Sequence, residues 1–469
     1  MADSRKTLDF CSEFWEREII PTLSSYIEIP NKSPLFDPNW QAAGHMERVL
    51  QLALAWIADQ AIEGARVHVG RLESRTPLIL LEIPGSTERT VLLYGHLDKQ
   101  PEMTGWSEGL GPWQAVRRGD HLYGRGGADD GYALFAAVCA IKALKAQGTP
   151  HARTVILIEF CEESGSYDLP AYVDHFADQI GQVDLVICLD SGAGNYDQLW
   201  STNSLRGMVG GTITAHVLTE GVHSGDASGI VASSFRVLRQ LLSRVEDPST
   251  GAIIPEEFKV RIPAQRLQQA QEAAEAMGAD VWGKFPWAEG MRPMHDDAVQ
   301  LILNRTWRAA LSITGQAGLP ALADAGNVLR PYTSLQLSLR LPPTADARKA
   351  QKALVALLSQ DPPYQSRLEL KLEKCANGWN APELAPWLDA ALNTSSNTYW
   401  GKPAVHMGEG GSIPFMGMLG ERYPQAQFLV TGVLGPHSNA HGPNEFLHIE
   451  YAKKLTACVC MVLAEHARQ

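Results

Sequence analysis

Three runs of apolar, β-branched-rich sequence each stop on side chains that ionise. TVLLYGHLD (90–98) ends in His96 and Asp98, TVILIEFCEESG (154–165) in Glu162 and Glu163, and VDLVICLDSG (183–192) in Asp190. A run that stays apolar without alternating predicts a strand buried on both faces, as in parallel sheets covered by helices. PLILLEIPG (77–85) is a further apolar run. Residues 131–147 repeat apolar positions at helical spacing and stop at Gly148. The expected class is therefore α/β, with a mostly parallel central sheet flanked by helices.

The pattern changes in the middle of the chain. MVGGTITAHVLTE (208–220), SLQLSLRLPP (334–343) and LELKLEK (368–374) alternate as strands with one solvated face. Helices are expected near 230–245, 296–306 and 345–359, and 248–290 reads as a looser Pro-, Gln- and Ala-rich stretch. Helix–strand alternation resumes beyond Cys375, through QAQFLVTGV (425–433) to a helix at 449–466. These shifts predict an α/β domain of residues 1–201 and 376–469, interrupted by an α+β insert at 202–375.

Charge and cysteine usage narrow the partners. A net charge of −12 argues against nucleic acid, which needs clustered Lys and Arg. The first residues form an amphipathic, charged helix pattern without the apolar core of a signal peptide, and about 18 consecutive apolar residues occur nowhere. Seven scattered Cys without a CxxC pair read as reduced core thiols. A cytoplasmic protein without membrane partners is expected.

In a parallel sheet, ligands bind outside the carboxyl ends of the strands. Here those ends carry His96, Asp98, Glu162, Glu163 and Asp190, while GRGGADDG puts Asp129 and Asp130 in a Gly-rich turn before a helix. PHSNAHGPNE adds His437 and His441 from a distant loop. Singly, each has an ordinary reading as a core histidine, a helix N-cap or a solvated acid. Crowded together, the carboxylates would repel and take up protons unless a cation compensated them. A pair of divalent metals is the simplest compensation; the mixed His/Asp/Glu set suits zinc, with cobalt or manganese as alternatives.

In order, from about residue 90 to 445, these motifs resemble the co-catalytic zinc peptidases, a family that includes cytosolic non-specific dipeptidase, carnosinase, aminoacylase, acetylornithine deacetylase and the glutamate carboxypeptidases. The insert resembles the lid and dimerisation domain of the carnosinase-like branch. The resemblance implies that one metal is held by His96, Asp129 and Asp190, the other by Asp129, Glu163 and His441, with Asp129 bridging and the peptide after it cis. It implies that Asp98 orients the His96 imidazole and that Glu162 is the general base activating a metal-bridging water. In VHSG, His223 would reach the partner subunit's site in a homodimer and stabilise the oxyanion. Arg340 in SLRLPP and Gly411 and Ser412 in GEGGSIPF would hold the substrate carboxylate, and Asn327 in NVLRP would touch substrate from the lid. His437 matches no motif position and reads as a loop hydrogen-bonder. Many relatives follow the bridging Asp with a basic residue, where this chain has Gly131 and Tyr132.

The implied activity is metal-dependent hydrolysis of dipeptides or short peptides with a free C-terminal carboxylate. The alternative is an N-acyl amino-acid deacylase of the acetylornithine or succinyl-diaminopimelate type. A silent metal-binding scaffold is disfavoured by the full ligand set together with Glu162. A nucleotide-binding reading fails because GRGGADDG has neither GxGxxG after a strand nor a P-loop Lys.

Overall fold

The computed structural model describes residues 2–469. Its main sheet has six strands: β1 (Arg66–Gly70), β2 (Leu78–Ile83), β3 (Thr87–His96), β4 (Ala152–Glu159), β5 (Leu185–Cys188) and β6 (Gln427–Val430), in the order β1-β2-β4-β3-β5-β6. β4, β3, β5 and β6 run parallel, whereas β1 and β2 are antiparallel additions at one side. All four parallel strands therefore end at one edge, with His96 opposite Glu159 in register. β2 and β3 do not pair as a hairpin across their Gly85–Ser86 turn, because β4 lies between them.

Successive side chains of a strand point to opposite faces, and here each face has its own core. Ile79, Leu81, Val91, Leu93, Ile156, Ile158 and Ile187 pack against helices Ser4–Phe14, His45–Asp59, Ala133–Ala146 and Ile449–His466. Leu78, Leu80, Leu92, Tyr94, Val155, Leu157 and Val186 meet helices Leu169–His175 and Pro414–Arg422 on the other side. Continuous apolar runs are the sequence imprint of this double burial. Six of the seven cysteines are buried and all are free. No helix is long and apolar enough to cross a membrane among the described residues.

A second, antiparallel sheet has the order Ala310–Ala317, Tyr332–Leu341, Gly207–His216, Arg367–Ala376. Its strands alternate, and Leu335, Leu337, Leu339 and Leu341 point into a separate core with helices Ser234–Leu242 and Ala347–Ser359. The stretch read as loose contains a fourteen-residue helix, Ala264–Met277. Ala270, Ala273, Ala274 and Met277 follow helical spacing, but alanine gives a weak apolar signal. They join the core of the main sheet, as do Ile302, Leu303 and Trp307.

Candidate metal centre

The carboxyl edge of the main sheet gathers the strand-end side chains into two overlapping groups. His96, Asp129 and Asp190 have one donor atom each within 4.8 Å of one another, and so do Asp129, Glu163 and His441. Asp129 belongs to both: its Oδ1 lies 3.4 Å from His96 Nε2 and its Oδ2 3.0 Å from His441 Nε2. Asp190 Oδ2 is 3.8 Å from His96 Nε2, and Glu163 Oε2 is 3.4 Å from His441 Nε2. His96, Asp129 and Asp190 are buried, whereas His441 is half-exposed at the mouth.

A divalent ion fits these donors. His96 Nε2 is buried without a hydrogen-bond partner, in a gap faced by two carboxylates. Burial opposes charge on His96, but the neighbouring carboxylates of Asp129, Asp190 and Asp98 raise its pKa well above normal. His441, likewise opposed by burial, is lifted to about 9 by Asp129 and Glu163. Burial and neighbouring carboxylates push Glu163 up to about 8 and Asp190 to about 6, against the pull of the histidines. Asp129 moves down, because the His441 and His96 imidazoles beside it outweigh its burial. Protons here occupy the role of cations, and metal loading would displace them.

Asp98 touches both the His96 imidazole and the turn beyond β4. Its Oδ1 lies 3.4 Å from His96 Nδ1 and accepts the Glu162 N–H at 3.1 Å, while Oδ2 accepts the Glu163 N–H at 3.0 Å. One buried carboxylate thus ties the end of β3 to the turn carrying both glutamates. Gln100 Nε2 donates to Glu163 Oε2 at 2.5 Å and sets that side chain's direction. Glu162 has its pKa raised by burial, Asp190 and Glu163, with His96 opposing.

The turn bearing Asp129 is set by close packing. The Asp129–Asp130 peptide is cis. Asp130 Oδ2 accepts the His96 N–H at 3.3 Å, so it braces the strand instead of joining either group. A Cβ at Gly95 would stand 2.7 Å from that same oxygen, which makes glycine necessary there. At Gly131 a Cβ would lie 2.2 Å from the Tyr26 ring, and the Tyr132 hydroxyl donates to the Leu189 carbonyl at 2.5 Å, beside Asp190. Gly131 and Tyr132 thus fasten this turn to Tyr26 and to the strand end at Leu189.

Sequence reasoning missed the clamp on the His441 loop. Arg125, in the same Gly-rich turn, donates to Glu445 Oε2 at 2.5 Å and to the Gly442 carbonyl at 2.7 Å; Glu445 Oε1 accepts the Gly126 N–H at 3.0 Å. Both charges are about fully buried. His441 itself has φ +64°, a left-handed conformation that costs a non-glycine residue energy unless its surroundings hold it. The only signal in sequence was that both charges flank motif residues. His437 is exposed and makes no side-chain hydrogen bond among the described residues, so its expected loop hydrogen bond is not seen.

The remaining candidates form two further groups. Arg340 Nη1 donates to Ser412 Oγ at 3.2 Å, Ser412 Oγ donates to the Arg206 carbonyl at 2.5 Å, and the Gly411 carbonyl accepts the Arg206 N–H at 3.0 Å. His223 pairs with Val328 on a two-residue ladder and Asn327 stands just before it; both are exposed, with Ser224 N–H donating to the Asn327 carbonyl at 2.9 Å. Neither makes a hydrogen bond or ion pair with the metal-site residues among those described.

The chain is 22% identical to the cysteinylglycine-S-conjugate dipeptidase of Corynebacterium striatum, covering 80% of this chain and 82% of that one. It is 24% identical to the Beta-Ala-His dipeptidase of Homo sapiens, covering 81% and 76%. Its fold matches the di-peptidase Dug1p of Saccharomyces cerevisiae with a TM-score of 0.79, at 20% identity and 100% coverage of both chains. Human carnosine dipeptidase 1 matches with a TM-score of 0.77, at 20% identity and 99% coverage of both. With residues 92–465 matching its family model, the chain belongs to Peptidase family M20/M25/M40.

Proposed function

We propose that this chain hydrolyses the amide bond of dipeptides or short peptides with a free C-terminal carboxylate, with two divalent cations, zinc by preference, at the sheet edge. The observation that carries this reading is the pair of donor groups sharing Asp129, with Glu162 adjacent in sequence to one of their members. His96, Asp129 and Asp190 would hold one ion and Asp129, Glu163 and His441 the other. Such ions supply Lewis acidity and bring the pKa of water from about 15.7 toward neutrality.

Glu162 takes the proton of the attacking water and returns it to the leaving nitrogen. Asp98 keeps that base in place through the two N–H groups it accepts. Arg340 and Ser412 bind the substrate's terminal carboxylate by charge-assisted hydrogen bonds. His223 stabilises the oxyanion from a second copy of the chain, with Asn327 touching substrate beside it; their exposure here is consistent with a role across a homodimer. Residues 202–375 serve as the lid and dimerisation unit, with the helices between 264 and 307 lodged on the main core. That these relatives are named as dipeptidases supports the peptide reading over the N-acyl amino-acid reading.

A panel of dipeptides and N-acetyl amino acids, assayed on a preparation whose metal content is measured, tests the reading. The expected result is dipeptide turnover that disappears on chelation and returns with zinc, manganese or cobalt. Turnover restricted to N-acetyl amino acids assigns a deacylase, and metal-loaded protein inert toward every dipeptide removes the proposal.

A further inference from the structure

Away from the sheet edge, the chain forms a partly open cavity of about 690 Å³, within the rough range of 300–1,000 Å³ typical of small-molecule sites. Phe258, Val260, Trp282, Phe285, Trp287 and Trp307 supply an apolar, largely aromatic wall. Arg206, Lys259, Arg305 and Arg308 also line it, and no Asp, Glu or His does among the described residues. That imbalance is notable in a chain of net charge −12.

The three arginines lack carboxylate partners among the described residues. Arg206 donates to the carbonyls of Gly410, Asn304 and Arg308, and Arg308 to Asn304 Oδ1 and Gln300 Oε1. Arg305 has a buried Nε without a partner, and its Nη2 rests 3.2 Å from the weak acceptor Met407 Sδ. Lys259 alone has an acid, Glu256, at 2.7 Å. Burial and repulsion from Arg340 and Arg305 push Arg206 down to about 10, with the field of Glu409 opposing. A buried guanidinium with no carboxylate in contact is costly, and a bound anion offsets that cost.

We propose that this cavity binds an amphipathic carboxylate, an apolar or aromatic body ending in one anionic group, with the head on Arg305 and Arg206 and the body against the tryptophans. The site shares a wall with the loop proposed to hold the substrate carboxylate. Arg206 lines the cavity while its backbone meets Gly411 and Ser412, and a Cβ on Gly410 would stand 3.1 Å from the Arg305 side chain and 3.2 Å from Arg206 Nη2. The carboxylate belongs either to an extended side chain or acyl group of the substrate or to a separate molecule acting on the loop. Only this coupling to turnover rests on the proposed peptidase function; binding does not.

Calorimetric titration of the full-length protein with sodium decanoate, with decanol as the neutral control, tests the site. Saturable binding of one decanoate per chain is expected, weakened about tenfold or more in decanol and in Arg305→Gln, the loss expected for one charge-assisted hydrogen bond. Val260→Trp, which fills the cavity, should abolish binding, with thermal unfolding confirming that both variants fold. In a dipeptide assay, competitive inhibition by decanoate identifies the occupant as part of the substrate. A saturable change of kcat, or no effect on turnover, identifies a separate ligand. Absence of saturable binding, equal affinity in wild type and both variants, or a cavity closed by a second copy of the chain overturns the proposal, whether or not any peptide is hydrolysed.

Discussion

The two sheets treat polar side chains in opposite ways. At the carboxyl edge of the main sheet, charged groups are buried and tied to backbone: Asp98 to the N–H groups of Glu162 and Glu163, and Glu445 to Arg125 and Gly126. In the antiparallel sheet most polar residues of Tyr332–Leu341 lie on the less buried face, and His223 and Asn327, on and beside a short ladder, are exposed. The first region assembles its site from within one chain and holds it rigidly. The second displays these side chains outward, toward solvent. Preorganised donors cost little reorganisation when charge develops, which explains the buried supports at the first site.

The largest expected effect follows from Glu162→Gln. Turnover should fall by about 10²–10⁴-fold, the usual contribution of a general base, while metal content and unfolding temperature remain those of the wild type. Metal loss in this variant would make Glu162 a ligand and blur its distinction from Glu163.

Next comes Glu445→Gln, which leaves Arg125 buried and unpaired. Removing one member of such a pair costs about 3–5 kcal/mol, and metal affinity should fall with it because the His441 loop loses its clamp. Denaturant unfolding and metal titration read the two effects. The comparator in the other sheet is Glu369→Gln, where Glu369 lies 3.7 Å from His216 with half its side chain exposed. There the change should stay below about 1 kcal/mol. Equal losses at both positions would erase the difference between the sheets.

His223→Ala should cost about 2.7–4 kcal/mol of transition-state stabilisation with no change in folding or metal content. Mixing this variant with Glu162→Gln sharpens the contrast. Recovered activity means that the antiparallel sheet serves a partner's site, and no recovery means that His223 acts, if at all, within its own chain.

Much of the site was legible before any fold was known, for a physical reason. A parallel sheet buried on both faces imposes unbroken apolar runs, and all its strands finish on the same side; side chains at those ends therefore meet without further information. His96, Asp190 and the Glu162–Glu163 turn are cases of this rule. Asp129 and His441 lie on loops, and the family resemblance pointed to them more than periodicity did. The helix Ala264–Met277 escaped notice because alanine buries little apolar area and so marks its face faintly.

The amino-acid sequence alone determined the strand runs, the chemistry at their ends and the alternation of the second sheet, since each depends on spacing between near neighbours. Only the tertiary structure decided the insertion of β4 between β2 and β3, the clamp joining Arg125 to Glu445 and the meeting of Arg206, Arg305 and Arg340 around one loop. Those contacts join residues tens to hundreds of positions apart, and which of them form depends on how whole layers pack, not on any local pattern.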